Sequence, residues 1–284
     1  MRALRTLAVA CLAAGVLTAC SSSGSGGSTD AKGGAATAAA STEGAGAAKG
    51  GSKLAPKDAL LASAVVMEKA GSAKLAITGD SEKGSVDYVW KDPASFLMTT
   101  TEEGKEVTAL FAGGQMYIAA TPEMAAVAQG KKWVSLDGTD DSGEDGNEAA
   151  SIAAMTQVLN PGIQLAAAAP TATLVGTETV AGQSTTHYRS EIKAEDLVAK
   201  MKLQGALRDQ VLTEIKKDGA TVTAELWIND KGELVQQSVI DPSAEAGSKP
   251  ETVTYSALGT VKATPAPSAD EVLKLSDLMQ QAQQ

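Results

Sequence analysis

Cysteine, histidine and aromatic side chains are scarce in this chain, and each scarcity closes off some chemistry. The two cysteines, Cys11 and Cys20, both lie near the amino terminus. The one histidine, His187, leaves no His–His or His–Cys spacing for zinc. A Ser-His-Asp triad would have to use that same ring, and no Gly-x-Ser-x-Gly elbow marks a nucleophile. Aromatic residues make up 3% of the chain, with Phe 2, Trp 3 and Tyr 4. A glycosidase cleft with paired carboxylates usually also needs stacking rings, and these are in short supply. Basic residues are outnumbered, 24 Lys+Arg against 34 Asp+Glu, for a net charge of −10. That balance repels nucleic-acid backbones and anionic headgroups, so no nucleic-acid partner is expected. No phosphate-binding glycine loop is present, because Gly113-Gly114 joins two expected strands rather than a strand and a helix. No cofactor is implied.

The amino terminus is informative. Arg2 and Arg5 give a short positive region, and residues 7–16 are apolar. That stretch is too short for a bilayer core, which needs about 20 residues. The run Leu17-Thr18-Ala19-Cys20 follows. It resembles the bacterial lipobox, in which the cysteine becomes the first mature residue and is acylated. Half of a disulfide is the plainer reading of Cys20, but Cys11 lies in the segment that would be removed. The sequence therefore predicts a signal peptide over 1–19 and lipid attachment at Cys20, on the outer face of the cell membrane. The exported chain keeps 22 basic residues, because Arg2 and Arg5 leave with the leader, and its charge becomes −12. Its hold on a membrane then comes from acyl chains, and two or three of them anchor stably where one does not.

Residues 20–54 read as the lipidated cysteine and a flexible tether. Gly, Ser, Ala and Thr dominate it, with too little apolar surface to offset the entropy of ordering. A coil of about 32 residues has a root-mean-square reach of roughly 30 Å. Residues 55–284 form the predicted domain, long enough to bury a core without disulfides.

Within it, Pro56 opens a helix that ends at Gly71. Leu60, Leu61, Ala64, Val65 and Met67 form its apolar stripe. Strands are then expected over 73–78, 85–91, 95–101, 107–111, 115–120 and 132–136, punctuated by Asp92-Pro93, Glu103-Gly104 and Gly113-Gly114. A helix is expected over 148–159, stopping at Asn160-Pro161-Gly162. Strands 172–179 and 183–192 come next. A long helix over 194–217 is interrupted at Gly205, as a kink or a close backbone approach. Strands 221–228, 233–240 and 251–258 follow, and a helix from 268 to about 279 closes the chain. This order predicts an α+β fold, a curved antiparallel half-barrel sheet with helices packed on its concave face.

The acidic stretch over 137–148 has the 12-residue length of a calcium loop. Its sixth position, where that loop needs glycine for a sharp turn, is Ser142. It therefore reads as a solvated surface loop, and no metal is predicted.

Several stretches together resemble the LolA-like lipoprotein superfamily, of the actinobacterial LppX/LprG type. They are the lipobox, the tether, the first helix, Gly113-Gly114-Gln115-Met116-Tyr117-Ile118 with Lys132-Trp133-Val134, and Ala224-Glu225-Leu226-Trp227-Ile228-Asn229-Asp230-Lys231-Gly232. The tail Ala263-Thr264-Pro265-Ala266-Pro267-Ser268 is also similar. The resemblance implies a half-barrel over helices with an apolar cavity that holds acyl chains of a lipid or lipid-linked glycan. It implies no enzymatic activity. Val86, Tyr88, Trp90, Phe96, Met98, Met116, Ile118, Leu226 and Ile228 stand at alternating strand positions. They serve either as cavity lining, where methionine suits a flexible ligand, or as ordinary core against the helices. The first alternative makes the protein a lipid carrier. The second makes it an interaction or sensor module, with a filled core and an envelope protein as partner.

Overall fold

Strand alternation governs most of the chain, but a proline-started helix comes first. The computed structural model describes residues 54–79, 83–102, 105–124, 128–136, 154, 157–201, 203–217, 219–240, 250–275 and 277. The expected signal peptide, Cys20, all of the expected tether before Leu54 and the acidic stretch 137–148 lie outside these residues, as does most of the helix expected over 148–159.

Helix α1 (Pro56–Ala70) has proline in its first turn and ends at Gly71. Gly71 takes φ 70°, and its N–H donates to the Met67 carbonyl. Only glycine adopts that conformation without strain. Leu60, Ala64 and Met67 are buried, whereas Leu61 and Val65, expected in the same stripe, are exposed.

Six strands follow: β1 (Ser72–Thr78), β2 (Lys83–Val89), β3 (Ser95–Glu102), β4 (Lys105–Ala112), β5 (Gln115–Ala119) and β6 (Trp133–Ser135). Later come β7 (Thr173–Val180), β8 (Gln183–Lys193), β9 (Thr221–Asn229), β10 (Leu234–Ile240), β11 (Glu251–Ser256) and β12 (Val272–Lys274). Among the described residues they form one sheet, ordered β12-β6-β5-β4-β3-β2-β1-β11-β10-β9-β8-β7. Local turn chemistry sets the hairpins. Gly113 and Gly114, both at positive φ, make the two-residue turn between β4 and β5. Asn229 closes the β9–β10 turn by accepting from the Lys231 and Glu233 N–H groups, each at 3.0 Å. The two meanders join where β1 pairs with β11, Leu75 opposite Tyr255 and Ile77 opposite Val253.

One face of this sheet is apolar across its width. Tyr88 lies opposite Phe96, Phe96 opposite Phe111, and Phe111 opposite Met116. These side chains share a buried cluster with Leu60, Met67, Leu165 and Val198 from the helices. Helices α2 (Pro161–Ala168), α3 (Ala194–Lys200) and α4 (Gly205–Lys217) join α1 on this side, with α1 against α2, α2 against α3 and α3 against α4. Curvature follows from the right-handed twist that extended L-residue chains impose on a sheet.

Three elements differ from the sequence expectation. Asn160-Pro161-Gly162 ends the helical residues at 157–158, as expected, and also starts α2, which was not expected. The Asn160 side chain accepts from the Gly162 and Ile163 N–H groups at 2.8 and 3.4 Å, and Pro161 fits the first turn. The long helix over 194–217 is two helices, and the break falls where Gly205 takes φ 59°. A side chain there would meet nothing within 4 Å, so backbone conformation rather than close approach requires glycine. The closing helix does not begin at 268: the described residues Leu275 and Asp277 are helical, but a short helical turn at Ala269–Glu271 and strand β12, parallel to β6, come first. Leu273 is buried there, and Val272 packs on a small second cluster of Leu110, Ala112 and Tyr117.

Strand β12 is held partly by charge. Lys132 Nζ lies 2.6 Å from Glu271 Oε1, and the Lys132 N–H donates to the Glu271 carbonyl. The lysine, then Ser268, hold the Glu271 carboxyl below its ordinary value of 4.5. A lowered carboxyl stabilises the docked strand above its ordinary pKa and loses that contribution as pH falls through the folded value. The pair is exposed, so the effect is small. Leu273 methyl resonances should therefore shift on acidification below pH 4.5 and should not shift in Glu271→Gln. Identical titrations in the two proteins would rule this linkage out.

Candidate functional site

Among the described residues, two spaces lie between the apolar face of the sheet and the helices. The larger is an open groove of about 990 Å³. Its walls are the α1 residues Leu61, Ala64 and Val65 and the α2 residues Gly162, Ile163 and Ala166. Tyr88, Trp90, Ala94 and Phe111 form the sheet side, and Met201, just past α3, closes one end. The exposure of Leu61 and Val65 follows from this arrangement, because α2 covers only one side of α1. The helices approach closely at Gly162, where a Cβ would lie 3.2 Å from the Ala64 carbonyl oxygen. The rim is polar and of mixed charge, with Glu68, Lys69, Asp92 and Lys200. Trp90 is anchored by its Nε1–H, which donates to the Met67 carbonyl at 3.1 Å, and its ring lies 5.3 Å from that of Tyr88.

The second space is enclosed and has a volume of about 40 Å³, room for about three water-sized molecules. Leu75, Ile77, Val86, Phe96, Met98, Val253 and Tyr255 line it from the sheet. Leu159 and Gln164 cover it, and Lys83 and Glu251 stand at its far end. Gln164 is oriented there by its amide, one N–H of which donates to the Val158 carbonyl at 2.7 Å. Tyr88 and Tyr255 are buried here, and desolvation pushes both hydroxyl pKa values well above the ordinary tyrosine value of 10.0. A third recess of about 340 Å³ lies between the start of α1 and the β9–β10 turn.

The sheet residues selected from the sequence are thus divided among several environments. Val86, Phe96 and Met98 line the enclosed cavity, Tyr88 lines cavity and groove, and Trp90 lines the groove. Ile228 borders the third recess. Met116 and Leu226 are buried in the core, and Ile118 packs half-buried against it. Sequence reasoning missed the helix side of the groove. Pro161 after a capping-type Asn160 was the available signal for α2.

His187 lies on the other face of the sheet, across β7, β8 and β9. Its ring stacks on Trp227 at 4.4 Å, with Nε2 2.6 Å from Glu225 and Nδ1 2.9 Å from Glu178. Arg189 Nε donates to the same Glu225, and Trp227 Nε1 donates to Glu178. These pairs tie three neighbouring strands together and border none of the three spaces. Among the described residues, no three His, Cys, Asp or Glu side chains are grouped to hold a metal ion. No helix among them is long and apolar enough to cross a membrane.

One curved sheet, antiparallel but for its β6–β12 edge, wraps helices and leaves apolar space between the layers. The fold is α+β, a curved sheet with helices on one face. No family model matches the chain. A protein of Streptomyces griseus, described as an uncharacterized 31.2 kDa protein in the rplA-rplJ intergenic region, is 28% identical over 244 residues. That match covers 76% of this chain and 79% of the relative. Among solved structures, LprF from Mycobacterium bovis is similar, with 16% identity and a TM-score of 0.47 over 75% of this chain and 97% of that one. The Mycobacterium tuberculosis lipoprotein LppX is similar as well, with 20% identity and a TM-score of 0.42 over 71% and 96%. These are likenesses of fold.

Proposed function

We propose that this chain is an exported lipoprotein that binds lipid acyl chains in the groove between α1, α2 and the sheet. It carries or presents a lipid or lipid-linked glycan in the cell envelope. Residues 1–19 direct export, acylated Cys20 anchors the protein at the outer face of the cell membrane, and residues 20–54 hold the domain clear of the bilayer. The role is binding rather than catalysis.

The observation that supports this reading best is the groove itself. About 990 Å³ is ample for a hydrocarbon ligand, and the walls are aliphatic and aromatic with charges confined to the rim. Leu61 and Val65 stay exposed on a helix whose Leu60, Ala64 and Met67 are buried, which leaves surface that a ligand would cover. Each methylene so buried contributes about 0.8 kcal/mol, against the costs of ordering and lost freedom. A second reading draws on the small size of the enclosed cavity. If the sheet face is filled by its own side chains, the same groove serves as a docking surface for another envelope protein.

The two readings separate in one experiment. Protein made without its leader, and so unacylated, is studied by native mass spectrometry and by displacement of a fluorescent fatty acid. Lipid should co-purify, and Ala166→Trp, which fills the groove, should weaken fatty-acid binding at least about tenfold, or roughly 1.4 kcal/mol. Absence of lipid together with no displacement would defeat the carrier reading and leave the docking surface.

A further inference from the structure

The groove and the enclosed cavity are neighbours separated by very little. Among the described residues that line them, Tyr88 is common to both. Its cross-strand neighbour Phe96 lines the cavity, while Trp90, just past the end of β2, lines the groove. Phe96 stacks on Phe111 at 5.7 Å, and Phe111 faces the groove. The helix side divides at the same level. Ile163 borders the groove, and the next residue, Gln164, covers the cavity. The partition is two rings thick at Phe96 and Phe111 but one side chain thick at Tyr88, a phenol ring that is only 4% exposed.

We propose that groove and cavity are two segments of one acyl-chain path, and that Tyr88 is the wall between them that sets the longest chain the protein accepts. This inference rests on the lipid reading of the groove. A chain lying along α1 reaches Tyr88 and stops. Beyond the ring the space continues between β1, β2, β3 and β11, floored by Val86 and Met98, toward Lys83 and Glu251. Met98 is suited to yield there, because an unbranched thioether repacks easily. Removing the ring joins the two spaces and lengthens the path, whereas enlarging the cavity alone does not, since the wall stays.

The test uses the leaderless protein with dodecanoate, hexadecanoate, icosanoate and tetracosanoate as competitors of a fluorescent fatty acid. Tyr88→Ala should move the tightest-binding chain at least one step toward greater length, with about a tenfold gain for that longer acid relative to wild type. Tyr88→Leu, which keeps more of the packing, should show the same shift in weaker form and serves if the alanine variant does not fold. Met98→Ala should keep the wild-type profile. Folded Tyr88 variants with an unchanged length profile, or an equal shift in Met98→Ala, would overturn the proposal while leaving the groove as a lipid site. A wild-type protein that binds none of the four acids removes the lipid reading and this inference with it.

Discussion

Leu165→Ala is expected to lower the stability of the domain by about 2–5 kcal/mol, the range for emptying a well-packed core position. Leu165 is fully buried and sits in the middle of α2, a helix of 8 residues. So short a helix does not persist through its own hydrogen bonds. It is held at its start by the Asn160 cap and Pro161, and along its length by packing of Leu165, Ala167 and Ala168 into the core. The same helix supplies one wall of the groove and the cover of the enclosed cavity. The variant should therefore show a lower denaturation midpoint with an unchanged slope, together with weaker fatty-acid binding. A loss under about 1 kcal/mol would mean that α2 collapses into the vacated space, and that the groove wall is softer than the packing indicates.

Alkaline pH should destabilise the protein steeply from about pH 10, because Tyr88 and Tyr255 are both buried. Desolvation raises both pKa values far above 10.0, with the nearby Glu68 carboxylate adding to the effect on Tyr88. A raised tyrosine pKa leaves stability intact below the unfolded value. Above it the unfolded chain releases protons that the folded chain keeps, so stability falls with rising pH. Each tyrosine contributes a slope of about 1.4 kcal/mol per pH unit, or about 2.8 for the two together. Urea unfolding at pH 9 to 11 should show that decline in wild type, shallower by about 1.4 kcal/mol per pH unit in Tyr255→Phe and by about 2.8 when Tyr88→Phe is added. A wild-type slope no steeper than that of the double variant would show that water reaches both hydroxyls.

Much of this architecture is written in local pattern. Alternation of apolar and polar residues places eleven strands within a residue or two of where they form, since a strand's register on a half-buried face is a period of two. Gly113-Gly114 and the Asn229 turn mark their hairpins because their backbone conformations suit few residues. The first helix is bounded by Pro56 and Gly71 for the same reason. By contrast, Val272–Lys274 has helical neighbours in sequence and becomes a strand only because the edge of β6 offers unpaired backbone groups. Asn160-Pro161-Gly162 reads as a stop, and the packing surface on α1 is what lets a second helix begin on the same three residues.

The site divides along the same line. Residue order alone establishes the acidic balance, the scarcity of cysteine and histidine, and an apolar alternation that contains Tyr88, Phe96 and Met98. It does not establish which apolar side chains meet one another and which border space. Leu61 and Val65 belong by sequence to the same stripe as Leu60 and Met67, yet they border the groove. Alternation records that a side chain leaves water in the folded state, but not what replaces the water. That depends on where β1 finds β11, nearly the whole length of the domain away, and on how closely α2 settles against α1. Both are contacts between distant segments, and no periodicity within either segment encodes them.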